Sequence, residues 1–317
     1  MAVRSTRFTR SNRAARWAAG RGMGPRFLGK RWRNSASMSE VFFMRAAAHV
    51  IPGYRFTLGI TFFYLSMILL IPLAAFLLYA SGMGVGKFLA VATELRVVHA
   101  YLVSFGTSLA AALVNAVFGL LLAWVLVRYD FPGKRLLDGL IDLPFALPTA
   151  VAGIALTTLY AENGWLGQFF YAAGIPSAFS VLGITIALVF VGIPFVARSV
   201  QPVLEGLDPQ LEEAAEMLGA SRWLTFRRVV FPELLSPLLT GFALAFARGI
   251  GEYGSVVFIA GNLPYETEIA PLLIMAKLES FDYPSAAAIA IVMMAASFLV
   301  LLALNGYQRW RMHHQGV

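Results

Sequence analysis

The chain has 317 residues, of which 59% are hydrophobic and only 13% are charged, whereas soluble domains have about 45–50% apolar and about 25% charged residues. This composition, with a mean hydropathy of +0.71, excludes a soluble globular protein and predicts one that crosses a membrane several times. The chain contains no cysteine, which excludes disulfides and thiolate metal sites.

Residues 1–50 form a separate basic segment. They contain no acidic residue before Glu40 and are rich in Arg, Ala, Gly and Ser, with no sustained apolar run. We interpret them as a disordered cytoplasmic arm, because a secretory signal would need an apolar core that this segment lacks. A transit peptide has a similar composition, and so does a basic arm that lies against anionic lipid.

Six apolar stretches are long enough to cross a ~30 Å hydrocarbon core as helices. In chain order they cover about residues 58–79, 101–127, 136–160, 179–204, 234–260 and 286–304. Pro144 and Pro148 break the third stretch and Pro194 lies inside the fourth, where neighbouring helices or water can satisfy the freed carbonyls. The predicted fold class is all-α, with a membrane domain over 51–310 and a tail over 311–317.

The net charge of +8 is compatible with nucleic-acid binding, but the basic residues follow the membrane topology instead. Most of the 25 Lys and Arg lie before the first span, in the second and fourth connections, or in the tail. The opposite side holds Lys87, Arg96 and Lys277. Because basic connections stay in the cytoplasm, both termini are predicted to be cytoplasmic, and no nucleic-acid partner is expected.

The fourth connection contains a strongly charged stretch, LEEAAEMLGASRWLTFRRVVFP. Just before it, Asp208 followed by Pro209 is a typical helix start. Gly219 is a typical helix end, and Ser221 can cap a second helix that ends before Pro232. The pattern predicts an elbow of two short helices hinged at the glycine, on the cytoplasmic side.

The first helix of the elbow has an acidic edge and an apolar stripe. Its acids lie toward the positive end of the helix: Glu212, Glu213 and Glu216. The stripe has the spacing i, i+3, i+4, i+7: Leu211, Ala214, Ala215 and Leu218. Small central residues suit close docking against a cytoplasmic protein. A solvated loop and a helix lying on lipid are the alternatives, although lipid-bound helices favour basic polar faces.

The elbow, over about residues 208–232, resembles the EAA loop of ABC importer permeases. In that loop EAA is followed after three residues by Gly, and after nine more by Ile-x-Leu-Pro. The matching residues here are Glu213, Ala214, Ala215, Gly219 and Pro232, while Val229 and Phe231 replace the isoleucine and the leucine. In that family the loop is the coupling helix, which docks in a groove of the cytoplasmic ATPase. The resemblance implies the same role for this segment, including Glu212 and Glu216.

Further stretches extend the resemblance to about residues 51–310. WVLVRYDFPGKRLLDGLIDLPFALPTAVAGIAL, GEYGSVVFIAGNLP and EIAPLLIMAKLESFDYPSAAAIAIVM are similar to the T-type permease of sulfate/thiosulfate importers. The resemblance implies a type I importer permease (MetI-like) fold in the bacterial inner membrane, working by alternating access. The implied partners are a second, W-type permease, two ATPase subunits and a periplasmic sulfate- or thiosulfate-binding protein. ATP and Mg would bind the ATPase, so this chain is expected to be non-catalytic and without a cofactor of its own.

Polar side chains within the spans are candidates for the substrate path. Arg248 and Glu252, four residues apart, can pair on one helix face, and Glu252 would moderate the field that Arg248 presents to a sulfate dianion. Thr149 and Ser255 are candidate hydroxyl donors in the same path. A salt bridge that only positions helices is the alternative for the charged pair. Hydroxyls bonded back to their own helix are the alternative for Thr149 and Ser255.

Two aspartates near the start of the third span, Asp138 and Asp142, are also four residues apart. Lys134 and Arg135 lie close by in the sequence, which predicts pairing at the membrane interface. Acids at that position would repel sulfate, so we do not expect them to bind the substrate.

The function that the resemblance implies is import of sulfate or thiosulfate. A molybdate or tungstate permease is the alternative within the family, and a secondary anion transporter, working without an ATPase, is the alternative from another class. An enzyme is disfavoured because no Ser/His/Asp, HExxH or paired-aspartate motif is present. The run GMGVGKF lacks the spacing and the Ser/Thr of a phosphate-binding loop, and GIGEYG reads GxGxxG but has no strand before it and no βαβ unit around it.

Overall fold

The computed structural model describes residues 54–314, with side chains over 56–307. The predicted N-terminal arm lies outside the described residues. The described residues divide into two compact units, one ending at Pro72 and the other beginning at Leu73. Every regular element within the described residues is helical, which confirms the all-α fold class.

The helices of the described residues are, in chain order, α1 (Tyr54–Leu65), α2 (Ile71–Ser81), α3 (Val85–Ala92), α4 (Leu95–Arg128), α5 (Lys134–Ile141), α6 (Leu143–Ala146), α7 (Thr149–Tyr160), α8 (Gly167–Ala172), α9 (Val181–Glu205), α10 (Pro209–Met217), α11 (Arg222–Thr225), α12 (Phe231–Ile250), α13 (Val256–Ile259), α14 (Ala270–Glu279) and α15 (Tyr283–His314). Two π-helical stretches, Ser66–Leu70 and Phe226–Val230, follow α1 and α11. The helical stretches long and apolar enough to cross a membrane are Phe56–Ser81, Leu95–Arg128, Val181–Glu205, Arg222–Ile250 and Tyr283–Tyr307. These five stretches correspond to all the predicted spans except the third.

The first unit is described by α1 and the π-helical stretch that follows it. Its large apolar side chains are exposed, among them Phe62 at 60% and Phe63 at 71%. The hydroxyl of Thr61 donates to the carbonyl of Thr57 at 2.9 Å, which satisfies the polar group within the helix. An apolar surface all round, with its polar groups bonded internally, is typical of a helix that lies in lipid.

The third predicted span, 136–160, consists of three short helices, α5 to α7. Leu147, just before Pro148, is extended, with φ −86° and ψ 137°, because proline disfavours a helical conformation at the preceding residue. The other break falls at Asp142, two residues before Pro144, which occupies the first turn of α6, where no N–H is needed. The two prolines therefore break this span, as predicted.

The centre of the second unit is formed by α4, α9 and α12, which pack closely through small residues. A Cβ added at Gly119 of α4 would lie 2.7 Å from the Cβ of Val196 in α9, and one at Gly241 of α12 would lie 2.7 Å from the Cα of Val196. Such close backbone approach is typical of helices that pack in membranes. Leu204 and Leu234 are fully buried and belong to the same core cluster as Val196.

Pro232 does not end the second helix of the elbow, which corrects the prediction made from its sequence. In the π-helical stretch Phe226–Val230 the N–H of Phe231 donates to the carbonyl of Phe226, and the helix continues into α12. The wider π turn relieves the clash between the proline ring and the carbonyl four residues earlier. The elbow therefore runs into one 29-residue helix, Arg222–Ile250, about 43 Å long.

The fifth predicted span, 234–260, ends earlier than predicted. Helix α12 stops at Ile250, and residues 251–255 form a turn before α13. The sequence here is GIGEYG, and glycine disfavours a continuous helix; the N–H of Glu252 donates to the carbonyl of Gly249 at 3.1 Å. Glu252 thus lies just beyond the helix end and not inside a helix.

Helices α14 and α15 complete the second unit and pack against each other. At the start of α15, Asp282 Oδ1 accepts a hydrogen bond from the Ser285 N–H at 3.3 Å. A hydrogen bond from the Ser285 hydroxyl holds the pKa of Asp282 below its usual value. Helix α15 extends to His314, beyond the predicted end of the sixth span at 304 and into the segment predicted as a tail.

Candidate functional site

The elbow is capped as its sequence predicts. Asp208 Oδ1 accepts a hydrogen bond from the N–H of Gln210 at 2.9 Å, and α10 begins at the proline that follows Asp208. Gly219 has a φ of +81°, the left-handed conformation that ends many helices. Ser221 Oγ accepts a hydrogen bond from the N–H of Leu224 at 3.4 Å and caps α11. The first helix, the glycine hinge and the start of the second helix at Ser221 are confirmed, whereas the predicted end of the second helix before Pro232 is wrong.

One face of α10 and the residues just after it are open within the described part of the chain. The exposed residues of this face are Leu211, Glu213, Ala214, Glu216, Met217 and Leu218. Met217 and Leu218 are 90% and 88% exposed, which is unusual for apolar side chains of this size. An apolar surface edged by acids is thus available for contact with another molecule.

Glu212 and Ala215 lie on the opposite face of α10 and are half-buried. Glu212 accepts a hydrogen bond from Nη2 of Arg128, the last residue of α4, and both side chains are 27% exposed. The guanidinium carbon of Arg128 also lies 5.4 Å from the ring centroid of Trp124, within the range of a cation–π contact. The three acids of the elbow therefore differ, because Glu212 is bound within the chain while the other two face outward.

Arg248 and Glu252 form an ion pair at the end of α12, with Nη1 2.5 Å from Oε2. The side chain of Glu252 is 1% exposed and that of Arg248 is 37% exposed. The other carboxylate oxygen of Glu252 accepts two hydrogen bonds from Ser255, one from its N–H and one from its hydroxyl, both at 2.9 Å. The buried carboxylate is fully satisfied, while the guanidinium keeps an open side.

Helix α7 packs against this turn through two glycines. A Cβ added at Gly153 would lie 2.5 Å from the carbonyl oxygen of Ser255, and one added at Gly254 would collide with the side chain of Thr149. Thr149, at the start of α7, therefore lies beside the turn that carries Glu252. The structure brings the four residues predicted for the path, Arg248, Glu252, Thr149 and Ser255, into one cluster.

Asp138 and Asp142 do not pair with Lys134 and Arg135, which corrects the sequence prediction. Both aspartates bind Arg198 of α9, at 2.6 Å from Nη1 to Asp138 and 2.6 Å from Nη2 to Asp142. Lys134 pairs instead with Asp130, at 2.8 Å, and this hydrogen bond lowers the pKa of the Asp130 carboxyl. The reason is geometric, because the two aspartates are four residues apart and the guanidinium of Arg198 reaches both carboxylates.

Sequence reasoning missed the roles of Arg198 and Arg128. Arg198 was visible as an arginine inside a span, and such a residue needs a buried partner; the two aspartates four residues apart were the signal for that partner. Arg128 contributed only to the count of basic residues. Nothing in the sequence indicates that its partner, Glu212, lies 84 positions away.

The chain belongs to the family described as binding-protein-dependent transport system inner membrane component, whose model matches residues 115–313. It is therefore a membrane-embedded subunit of a transport system. Within this class it is similar to sulfate transport system permease protein CysT of Salmonella typhimurium (49% identical over 263 residues, 83% of this chain and 95% of that protein). It is also similar to the proteins of the same name from Escherichia coli K12 (48%, 84% of this chain and 96% of that protein) and Synechocystis (50%, 79% and 88%).

Two solved structures share the fold. A bacterial ABC transporter involved in the import of the acidic polysaccharide alginate has a chain with a TM-score of 0.68 at 15% identity, covering 87% of this chain and 98% of that chain. The alginate transporter in complex with a pentasaccharide-bound periplasmic protein matches with a TM-score of 0.67 at 17% identity, over 86% and 96% of the two chains. The predicted ABC importer permease fold is confirmed.

Proposed function

We propose that this chain is the permease subunit of an importer for sulfate or thiosulfate. The observation that carries the proposal is the near-50% identity to three sulfate transport permeases over 88% to 96% of their lengths. A molybdate or tungstate permease would have the same fold, so the substrate has to be established by transport.

The proposal includes an assembly of four kinds of subunit. A second permease of W type would complete the membrane part, two ATPase subunits would hydrolyse ATP and bind its Mg, and a periplasmic protein would deliver the anion. One of the solved structures that share the fold is a complex with a periplasmic protein, which supports a periplasmic partner for this chain. In this assembly the present chain transmits movement and does not catalyse a reaction.

The proposed orientation places both termini and the elbow in the cytoplasm. The elbow carries three exposed arginines, Arg222, Arg227 and Arg228, and basic residues of short connections remain on the cytoplasmic side. The ATPase would then contact the exposed face of α10. Its acids Glu213 and Glu216 would meet basic residues of the ATPase, and Met217 and Leu218 would fill an apolar groove.

The cluster around Arg248 is the proposed point at which the anion contacts this subunit. Within residues 56–307, Glu252 is the only carboxylate paired with Arg248, and the Arg248 side chain is 37% exposed. Its five N–H donors exceed what one carboxylate oxygen uses, so donors would remain for a tetrahedral oxyanion. Because Glu252 offsets the positive charge, the anion would be held briefly and released. Thr149, half-buried beside the same turn, would complete the proposed path, whereas Ser255 is fully buried and donates its hydroxyl to Glu252, so it would act by holding that carboxylate in place.

A gene-replacement experiment tests this function. In a bacterium that lacks its own T-type sulfate permease, this chain should restore growth on sulfate as the sole sulfur source and uptake of labelled sulfate. Restored molybdate uptake without sulfate uptake would overturn the substrate. Sulfate uptake that persists when the ATPase gene is deleted would indicate a secondary transporter.

A further inference from the structure

The Arg128–Glu212 pair joins two segments that are far apart in the chain. Arg128 is the last residue of α4 and Glu212 lies in the first turn of α10. Both side chains are 27% exposed, so solvent screens their attraction less than that of a fully exposed pair. Glu212 therefore faces α4, away from the surface on which an ATPase would dock.

Aromatic contacts join the same two segments a second time. Trp124 of α4, which lies under the Arg128 guanidinium, meets Phe226 edge to face, with ring centroids 5.3 Å apart. Phe226 also stacks on Trp223 at 5.6 Å and packs near Phe231 at 5.8 Å. Aromatic pairs of this geometry add stability beyond area burial. The end of α4 is thus fixed to both halves of the elbow.

Helix α4 is also anchored at its other end. Arg96, in its first turn, donates two hydrogen bonds to Glu268, at 2.7 Å from Nε and 2.6 Å from Nη2. Glu268 is 4% exposed and lies just before α14. Helix α4 packs along α9 and α12, so a displacement of its elbow end would reach the centre of the bundle and the contact with Glu268 before α14.

We propose that Arg128 and Glu212 form the joint through which movement of the elbow reaches α4. The proposal rests on the proposed function, in which an ATPase moves the elbow. The elbow then acts on the bundle through two connections: the continuous helix into α12, and the Arg128–Glu212 pair into α4. Glu212 is a positioning residue, whereas Glu213 and Glu216 contact the ATPase.

Charge reversal of the pair tests the joint in the complete transporter, with its partner permease, ATPase and binding protein. Arg128→Glu and Glu212→Arg should each lower sulfate uptake per ATP hydrolysed by about tenfold, a size typical of coupling between sites. The ATPase should still co-purify with both variants. The double variant should recover most of the loss, because the exchanged charges can pair again.

Asp130→Asn is the matched control. Asp130 lies two residues beyond Arg128, and its side chain, which pairs with Lys134, is 98% exposed. It should leave uptake per ATP unchanged. Single variants that transport as the parent does, or a double variant no better than the singles, would overturn the joint.

A distance measurement separates failure of the joint from failure of the substrate assignment. The chain has no cysteine, so spin labels can be placed on cysteines introduced at two exposed positions, Tyr129 and Gln210. The distance between them should stay narrow with and without ATP in the parent complex, and should shift or broaden with ATP in Arg128→Met. An unchanged distribution in Arg128→Met would contradict the joint, whatever anion the complex transports. If the parent complex takes up no sulfate, the proposed substrate is wrong, but the joint is not contradicted.

Discussion

Arg198 binds Asp142 through two parallel hydrogen bonds, from Nε to Oδ1 at 2.9 Å and from Nη2 to Oδ2 at 2.6 Å. The same guanidinium reaches the Asp138 carboxylate at 2.6 Å and the Asp138 carbonyl at 2.9 Å. The planar fork of arginine matches a carboxylate in this way and fixes its orientation. The contact joins α9 to the break between α5 and α6. Arg198 thereby holds the predicted third span, which consists of the short helices α5, α6 and α7, against the long helix α9.

Arg198→Lys should destabilise the protein, because an ammonium cannot form the paired hydrogen bonds. The groups are partly exposed, so we expect a loss of roughly 1 kcal/mol, which corresponds to a fall in Tm of about 3 °C. Thermal unfolding of the purified protein in detergent measures it. Lys134→Met removes a neighbouring, more exposed ion pair and serves as the control. An equal Tm for both variants would show that the fork has no structural role.

Gly219→Pro and Glu213→Lys should abolish transport and the stimulation of the ATPase by loaded binding protein, while the chain stays in the membrane. Proline has a φ near −65°, which is incompatible with the +81° at the hinge, and lysine reverses an exposed charge on the docking face. Uptake, ATPase activity and membrane fractionation measure these effects. Glu162→Lys, an exposed charge reversal in another connection, is the control. Normal transport by both elbow variants would mean that the elbow does not dock.

Gly153→Ala should weaken both stability and uptake, because its Cβ would lie 2.5 Å from the Ser255 carbonyl oxygen. Helix α7 would have to move away from the turn at Glu252, at a cost of about 1–3 kcal/mol. Gly139→Ala is the matched control in α5, where an added Cβ would meet nothing within 4 Å. This substitution should be neutral or should stabilise the protein by about 0.5–1 kcal/mol. Measurement of Tm and of the sulfate uptake rate for both alanine variants tests these expectations. Equal behaviour of the two alanine variants would contradict the close packing.

Glu252→Gln should change the kinetics of uptake in a specific way. The amide keeps the shape of the side chain, but Arg248 loses its counter-charge and holds the anion more tightly. We expect KM and the maximal rate of sulfate uptake both to fall by about tenfold, equal to ~1.4 kcal/mol of binding free energy.

Arg248→Gln should act in the opposite direction on affinity and raise KM. The control is Thr157→Val, since the Thr157 hydroxyl donates only to the carbonyl of Gly153 in its own helix, at 2.8 Å. Initial uptake rates over a range of sulfate concentrations measure both parameters. An unchanged KM in both charge variants would show that Arg248 and Glu252 do not contact the anion and form only a structural ion pair.

The sequence allowed prediction of features that depend on local chemistry. Asp208, Gly219 and Ser221 have the local roles that their types and spacing indicate, because caps and hinges involve only neighbouring backbone groups. The continuation of the helix through Pro232 was not predictable, since it depends on a π turn that forms only in the packed helix. Partners across the chain, such as Arg128 for Glu212, depend on tertiary packing and leave no periodic signal.

In the proposed function this chain couples ATP hydrolysis to sulfate import. The most direct measurement is uptake of radiolabelled sulfate by proteoliposomes that contain this chain with its partner permease and the ATPase, supplied with sulfate-loaded binding protein. We expect uptake that requires both ATP and the binding protein and that excess molybdate does not abolish. Uptake without ATP, or accumulation of molybdate but not of sulfate, would contradict it.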